Sequence, residues 1–416
     1  MWPWGALVGP SVLGIVENPL NGVGAQLIFK IAVSLVALAV VATLLLQATT
    51  AGWLARKLGL IEEPDSATPT LASTQKEIQW GAGTARKDTV QLTDSHNRKM
   101  DYLRISVTDR CNFRCQYCMP EDIQFQDKSH ILTYEEILIF AEACLQLGVT
   151  KVRVTGGEPL VRRGVVWLIS QLKELGFDEV TMTTNGFLLK DNLEGLVEAG
   201  LDRINISLDT LQPEKFAFIT RRNHFQKVWE AIMAALETPL SPVKINAVAM
   251  RGVNDDEISD MARLTLEYPM HVRFIELMPL NGDTDGSHFR SLFISGREIL
   301  ERAQKELGDL KPVEKEDPAA PADEFKFEGA PGTFGVITPV SEPFCARCSR
   351  LRLTADGKIH PCLLTDLDVP VKDAIRSEDP IPAIHKVLWE TARIKPAAGL
   401  TLPEESRNRT MSQIGG

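Results

Sequence analysis

The chain has 416 residues, of which 44% are hydrophobic, 24% charged and 6% aromatic. This composition excludes a disordered chain and a disulfide-stapled miniprotein, and the length allows one large domain with a smaller companion. A net charge of −10 excludes a sequence-independent grip on nucleic acid, which needs a basic footprint, but not a local arginine cluster around a small anion.

Residues 31–55 carry no charge and include IAVSLVALAVVATLLL, long enough with its flanks to cross a bilayer as a helix. Lys30 precedes the run and Arg56 and Lys57 come after it, a bias that places the C-terminal side in the cytoplasm. We therefore expect an extra hydrophobic N-terminal helix within an extension over 1–61, with membrane contact or tethering through residues 31–55. The catalytic region is then cytoplasmic. A secretory signal fits poorly, because only one basic residue precedes a run that outlasts the usual apolar core. Residues 62–93, with EEPDSATPTLASTQKE, are polar and aperiodic and read as a linker. Six basic and six acidic residues cancel within 1–93, so the net charge belongs to residues 94–416.

Over 94–310 short β-branched runs alternate with longer helical patterns. The strand candidates are YLRISVT (102–108), KVRVTGG (151–157), EVTMTTNG (179–186), RINISLD (203–209), VKINAVAM (243–250) and VRFIELM (272–278). Between them, TYEEILIFAEACLQLG, VVWLISQLKELG, LEGLVEAG, HFQKVWEAIMAALE and DDEISDMARLTLEY repeat apolar residues at three- and four-residue steps and predict helices. Six such units predict an α/β fold, a partial (β/α)6 barrel of TIM type. TGGEP, TTNG, SLD and IELM fall at the C-terminal ends of the predicted strands, where such barrels collect ligands. Residues 311–416 form a second region, in which the acidic, Pro- and Ala-rich EKEDPAAPADEFKFEGAPG predicts an exposed loop.

Six of the seven cysteines fall into two groups, Cys111-x3-Cys115-x2-Cys118 and Cys345-x2-Cys348-x13-Cys362. Such clustering in a large chain points to metal or iron–sulfur ligands in a reducing compartment. The first group comes directly after the first predicted strand, and three cysteines there can hold three irons of a [4Fe–4S] cluster, leaving the fourth open. For the second group the spacing leaves two readings open: zinc with His360 as a fourth ligand, or a second cluster. Cys144, inside a helical pattern, reads as a buried apolar residue.

CNFRCQYC together with TGGEP resembles the radical S-adenosylmethionine superfamily. The likeness extends through LRISVTDRCNFRCQYCMP, KVRVTGGEPLVRR, TTNGFLL, RINISLDTL, KINAVAMRGVNDDE, VRFIELMPL and FCARCSRLRLTADGKIHPCL to the terminal GG. Over residues 101–416 the chain resembles the GTP 3′,8-cyclases, the radical S-adenosylmethionine lyases that open molybdenum-cofactor (molybdopterin) biosynthesis. The resemblance implies two [4Fe–4S] clusters and S-adenosyl-L-methionine as cofactors. It implies a 5′-deoxyadenosyl radical that removes hydrogen from ribose C3′ of GTP, after which C3′ attacks C8 of guanine to give 3′,8-cyclo-7,8-dihydro-GTP. It turns the second cysteine group from zinc to a substrate-binding cluster, and 311–416 into a small C-terminal iron–sulfur domain.

Residue by residue, the resemblance implies that Cys111, Cys115 and Cys118 hold the first cluster, and Cys345, Cys348 and Cys362 the second. Tyr117, Gly157, Ser207 and Met278 fall on cofactor positions. Arg104, Lys151, Arg153, Thr183, Lys244, Arg350 and Arg352 fall on GTP positions. Arg273 shares that cavity, and Gly415 and Gly416 form a tail needed for activity. Physical chemistry supports the cations, because guanidinium forks bind phosphate oxygens bidentately. Partners implied are GTP, an electron donor, a cyclic pyranopterin monophosphate synthase that takes the product, and a second copy in a homodimer. Since family members begin shortly before the LRISVTD strand, a chain starting near residue 94 is expected to be soluble and fully active.

Overall fold

The computed structural model describes residues 90–279, 287–399 and 410–414. The apolar run at 31–55, the rest of the extension and the diglycine end lie outside the described residues. Among the described residues no helix is long and apolar enough to cross a membrane.

All six predicted strands form: β1 (Tyr102–Ser106), β2 (Lys151–Thr155), β3 (Glu179–Thr184), β4 (Arg203–Ser207), β5 (Val243–Ala249) and β6 (Met270–Glu276). They lie side by side and parallel in sequence order. The connections carry α1 (Tyr134–Gln146), α2 (Val165–Glu174), α3 (Leu189–Glu198), α4 (Pro213–Thr220) with α5 (Phe225–Leu236), and α6 (Ile258–Glu267). Of these only α4 has no counterpart among the predicted helices.

Alternation along the strands decides what faces where. Leu103, Ile105, Val152, Val154, Val180, Met182, Ile204, Ile206, Ile245, Ala247, Val272 and Phe274 are at most 1% exposed. They form the apolar layer, each large side chain contributing ~1.5–3 kcal/mol. The opposite parity is polar and faces the site. The start of α1 shows how the helices are fixed. Thr133 accepts from the Glu136 amide (3.2 Å) and Glu136 accepts from the Thr133 amide (2.8 Å), a reciprocal cap. Its buried residues Ile137, Leu138, Phe140, Ala141 and Cys144 recur at helical spacing, so Cys144 is the apolar residue expected.

Beyond β6 come α7 (Ser287–Leu292), α8 (Gly296–Leu307), β7 (Lys311–Pro312), β8 (Ala322–Lys326), β9 (Thr333–Ile337), β10 (Arg350–Leu353), β11 (Lys358–His360) and β12 (Val369–Pro370). The chain then adds α9 (Lys372–Ile375), α10 (Pro380–Ile394) and α11 (Met411–Ile414). The six-stranded sheet grows on both sides. β9 adds parallel to β6 and β10 adds parallel to β1, so eight parallel strands stand in a row. β8 and β7 then extend one edge and β11 and β12 the other, all antiparallel, completing twelve strands. β9 and β10 leave little local signal, because the parallel partners that bring them into this sheet, β6 and β1, lie far away in sequence.

Two expectations need correction. The segment read as an exposed acidic loop contains β8 and folds against the sheet, because its carboxylates find buried cations there. The segment read as linker up to residue 93 already belongs to the packed body at its end. Leu92 is fully buried, its amide bonds to Leu147 O (2.9 Å), and its carbonyl accepts from the Met100 amide (2.9 Å).

Candidate active site

The polar face of the strands lines a cavity of about 720 Å³. Register explains its composition. Tyr102, Lys151 and Glu179 form one cross-strand row, and Arg352, Arg104, Arg153 and Thr181 the next. Further along, Asn205 stands opposite Lys244, and Lys244 opposite His271; Ser207 pairs with Asn246, and Asn246 with Arg273. Ten lysines and arginines face the cavity against five carboxylates, so a local surplus of positive charge sits inside an acidic protein.

The two cysteine groups lie at opposite ends of the strands. Cys111, Cys115 and Cys118 come after the C-terminal end of β1. Cys348 lies two residues before Arg350, which pairs with Tyr102 at the start of β1. Cys362 lies two residues past His360 on antiparallel β11, toward the same end. β1 has five residues, so the two mouths are roughly 15 Å apart at about 3.3 Å per residue. The C-terminal mouth is therefore only half of the site.

At the first mouth the TGGEP turn packs on the cysteine loop. Gly157 N–H donates to Thr108 O (2.7 Å) and Glu158 N–H to Arg110 O (2.8 Å). A Cβ on Gly157 would lie 2.4 Å from Arg110 O, and one on Gly156 2.5 Å from Thr108 O. These glycines are required for close backbone approach. Glu158, fully buried, accepts from Leu160 N (3.0 Å), Asn185 N (2.6 Å) and Thr184 Oγ1 (2.8 Å), tying this turn to the end of β3. Burial raises its carboxyl to about 7 against those bonds. Asn185 Nδ2 in turn reaches Cys111 Sγ (3.7 Å). Tyr117 donates to Asp209 (3.0 Å), whose other oxygen accepts from Val248 N (2.9 Å); burial brings Asp209 to about 6.

The cations are held by amides and by the acidic segment. Asn205, with its oxygen toward both guanidinium groups, accepts from Arg153 Nη1 (2.5 Å) and Arg273 Nη2 (2.9 Å). Asn246 Oδ1 accepts from Arg273 Nε (3.1 Å) and Nη2 (2.9 Å). Lys151 pairs with Asp317 (2.5 Å), and Glu324 approaches His271 (3.2 Å), Lys244 (3.9 Å) and Arg273 (4.0 Å). Burial would raise Glu324, but the His271 hydrogen bond and the Lys244, His271 and Arg273 charges outweigh it and hold Glu324 at about 2. Burial, with the Arg273 charge, brings Lys244 down to about 8. Burial and the neighbouring cations bring both Arg273 and Arg352 to about 10. Thr183 Oγ1 and Arg352 Nη1 are buried without a hydrogen-bond partner among the described residues. Surplus buried cation and orphaned donors suit an anionic polar ligand.

All eighteen sequence-predicted site residues within the described range line this one cavity: the six grouped cysteines, Tyr117, Gly157, Ser207, Met278, Arg104, Lys151, Arg153, Thr183, Lys244, Arg273, Arg350 and Arg352. Gly415 and Gly416 lie outside that range. The turn just before them does reach the cavity, where Met411 and Ser412 line the wall and the Ser412 amide donates to Cys118. Sequence reasoning missed Asn205, Asn246, Glu158, Asp209, Asp317 and Glu324. Strand parity could have found the two asparagines; only the topology reveals the carboxylates of the acidic segment.

Residues 105–265 match the family model of the Radical SAM superfamily, and 270–400 that of Molybdenum Cofactor Synthesis C. A Moorella thermoacetica protein named GTP 3′,8-cyclase is 43% identical over 327 residues, covering 78% of this chain and 100% of the relative. One of the same name from Petrotoga mobilis is 45% identical over 339 residues, with the same coverage. The fold resembles Streptococcus suis SuiB, solved bound to precursor peptide SuiA, at a TM-score of 0.51 and 14% identity over 75% of this chain and 76% of that one. The chain belongs to the radical SAM superfamily and, within it, to the GTP 3′,8-cyclase family.

The family implies two [4Fe–4S] clusters and S-adenosylmethionine, and the donor sets fit. Burial and the Glu158 charge push Cys111 up to about 11; burial and the Cys111 charge push Cys118 up to about 12; burial pushes Cys115 well above the usual thiol range. Thiols so placed are poor nucleophiles on their own, whereas bound iron supplies the charge that keeps them ionised. Among the described residues no three His, Cys, Asp or Glu groups converge on a single ion. A cluster takes one thiolate at each of several irons, so its ligands need not converge on one atom. His360, the fourth ligand of the zinc reading, is buried and bonded through Nδ1 to Asp368 (2.9 Å), and its Nε2 has no hydrogen-bond partner among the described residues.

Proposed function

We propose that this chain converts GTP to 3′,8-cyclo-7,8-dihydro-GTP, the first step of molybdenum-cofactor biosynthesis. The observation that most supports this is one cavity with a cysteine triad at each mouth and surplus positive charge between them. Cys111, Cys115 and Cys118 hold the first cluster, with Tyr117, Gly157, Ser207 and Met278 around S-adenosylmethionine. Cys345, Cys348 and Cys362 hold the second. When bound, these groups supply a 5′-deoxyadenosyl radical at one mouth and an open iron for the guanine base at the other. The chain itself supplies position. Arg104, Lys151, Arg153, Thr183, Lys244, Arg350 and Arg352 hold the triphosphate and ribose, with the forks of Arg153 and Arg273 kept in plane by Asn205 and Asn246. A nucleotide fixed at base and triphosphate cannot turn its ribose away, and such orientation converts binding energy into rate. Gly415, Gly416 and Arg273 complete the catalytic set.

In this reading residues 94–310 carry the first cluster and 311–416 the second. Electrons come from an external donor, the product passes to a cyclic pyranopterin monophosphate synthase, and the chain acts as a homodimer. The catalytic region is cytoplasmic, and residues 31–55 supply membrane contact. The test is anaerobic: protein reconstituted with iron and sulfide receives GTP, S-adenosylmethionine and a strong reductant, with products monitored by mass spectrometry. The expected result is 5′-deoxyadenosine with a cyclic product of GTP mass. 5′-Deoxyadenosine without it would reject GTP as substrate, and neither product from iron-replete protein would reject the enzymatic reading.

A further inference from the structure

We infer that Lys395 and Arg98 form a two-cation clamp that positions the second cysteine group and biases its charge. Neither belongs to the cysteine motif. Lys395, 3% exposed, caps the end of α10, and its Nζ donates to Arg350 O (2.8 Å) and Pro361 O (2.5 Å). Pro361 immediately precedes Cys362, and Arg350 lies two residues past Cys348. The chain after Lys395 stays on the same loop: a Cβ on Gly399 would lie 2.7 Å from Cys362 Sγ.

Arg98 completes the enclosure from the other end of the chain. It is 8% exposed, and Nη1 donates to Cys345 O (2.7 Å) and Ala397 O (3.2 Å), Nη2 to Pro396 O (2.6 Å). Nε pairs with Asp94 (2.6 Å), which also accepts the Arg98 and His96 amides (2.9 Å each). Each segment bearing a cysteine of this group is thus bonded to a cation from outside the motif.

Carbonyls can be held by neutral donors, so the choice of two cations calls for its own reason. Arg98 is paired with the Asp94 carboxylate, whereas the hydrogen bonds of Lys395 Nζ go to carbonyls. A buried cation is costly unless negative charge lies beside it. The deprotonated thiolates of a cluster provide that charge, so the inference rests on the reading that Cys345, Cys348 and Cys362 are cluster ligands. In return, a fixed cation stabilises the more negative, reduced state of a cluster and raises its potential.

The test uses the full chain with Cys111, Cys115 and Cys118 all changed to Ser, so that any iron–sulfur signal belongs to the second group. Iron per chain, the electron paramagnetic resonance spectrum and the midpoint potential are compared for unchanged Lys395, Lys395→Met and Lys395→Arg. We expect Lys395→Met to shift the potential to more negative values or to lose iron, and Lys395→Arg to restore much of either property. An unchanged potential and spectrum in iron-loaded Lys395→Met would overturn the clamp, as would equal iron loss in both variants. If Lys395→Met does not fold, Lys395→Gln keeps a donor and removes the charge: a negative shift supports the clamp and no shift overturns it. Absence of iron with Lys395 unchanged would instead overturn the cluster assignment.

Discussion

Gly157→Ala isolates the contact that joins the two motifs at the first mouth. Gly157 does not have a left-handed φ, so alanine adds no backbone strain there and the whole effect is steric. The new Cβ would sit 2.4 Å from Arg110 O and 2.6 Å from both Arg110 C and Asp109 O. Reaching even a 3.0 Å contact requires the turn to retreat by about 0.6 Å, a minimum set by van der Waals repulsion between packed atoms. The retreat stretches the Gly157–Thr108 and Glu158–Arg110 hydrogen bonds, now 2.7 and 2.8 Å. Overpacking costs about 1–3 kcal/mol and each of the two weakened bonds up to ~1 kcal/mol, for ~1–5 kcal/mol together. Arg110 adjoins Cys111, so the displacement is delivered to the first triad. Urea denaturation should show the destabilisation, and iron per chain in a background with Cys345, Cys348 and Cys362 changed to Ser should fall. Gly195→Ala, on α3 with ordinary contact to Val166, is the control and should be neutral or stabilising. A Gly157→Ala protein with unaltered urea midpoint and full first-site iron would refute the reasoning.

Three further outcomes are expected. A chain beginning at residue 90 should match the full chain in urea midpoint of the catalytic region, whereas one beginning at residue 94 loses buried Leu92 and should be weaker by about 2–5 kcal/mol. With Lys244 at about 8, the protonated form binds a phosphate anion better. GTP affinity measured by calorimetry should therefore hold below that pH and fall as pH rises through it, and Lys244→Met should flatten the profile. Glu324→Gln removes a carboxylate that competes for Lys244, His271 and Arg273; at about 1 kcal/mol for a partly exposed group, GTP should bind roughly five-fold more tightly in the same assay.

The sequence makes legible whatever depends on local periodicity and on motif. The six parallel strands announce themselves because each is a run of β-branched residues with one apolar parity, and the inward cations appear as charges at the other parity. The two cysteine groups are visible from spacing. Features that depend on long-range pairing stay hidden. Strands β9 and β10 join the sheet only through their distant parallel partners β6 and β1. Asp317 and Glu324 sit in a stretch whose composition suits solvent. The cations that hold them against the sheet lie more than 50 residues away in sequence. Leu92 reads as linker because one apolar residue after a polar run carries no period.

The same distinction explains how the site is held together. The first triad is braced by its neighbours: the TGGEP turn, Glu158 and Asn185 all come from β2 and β3, the next strands in the sheet. The second triad lies where β10 and β11 have been added to the edge, with no crossover helix from the preceding unit to support it. Its bracing has to come from elsewhere, and it comes from both flanks of the folded body, through Arg98 before β1 and the Lys395–Gly399 segment after α10. Residues 91–100 and 395–399 are therefore parts of the site in energetic terms, although neither carries a cysteine. Changes there should act first on the second triad and leave the first largely intact. Gly157→Ala should do the reverse, and iron bound at each triad separately distinguishes the two.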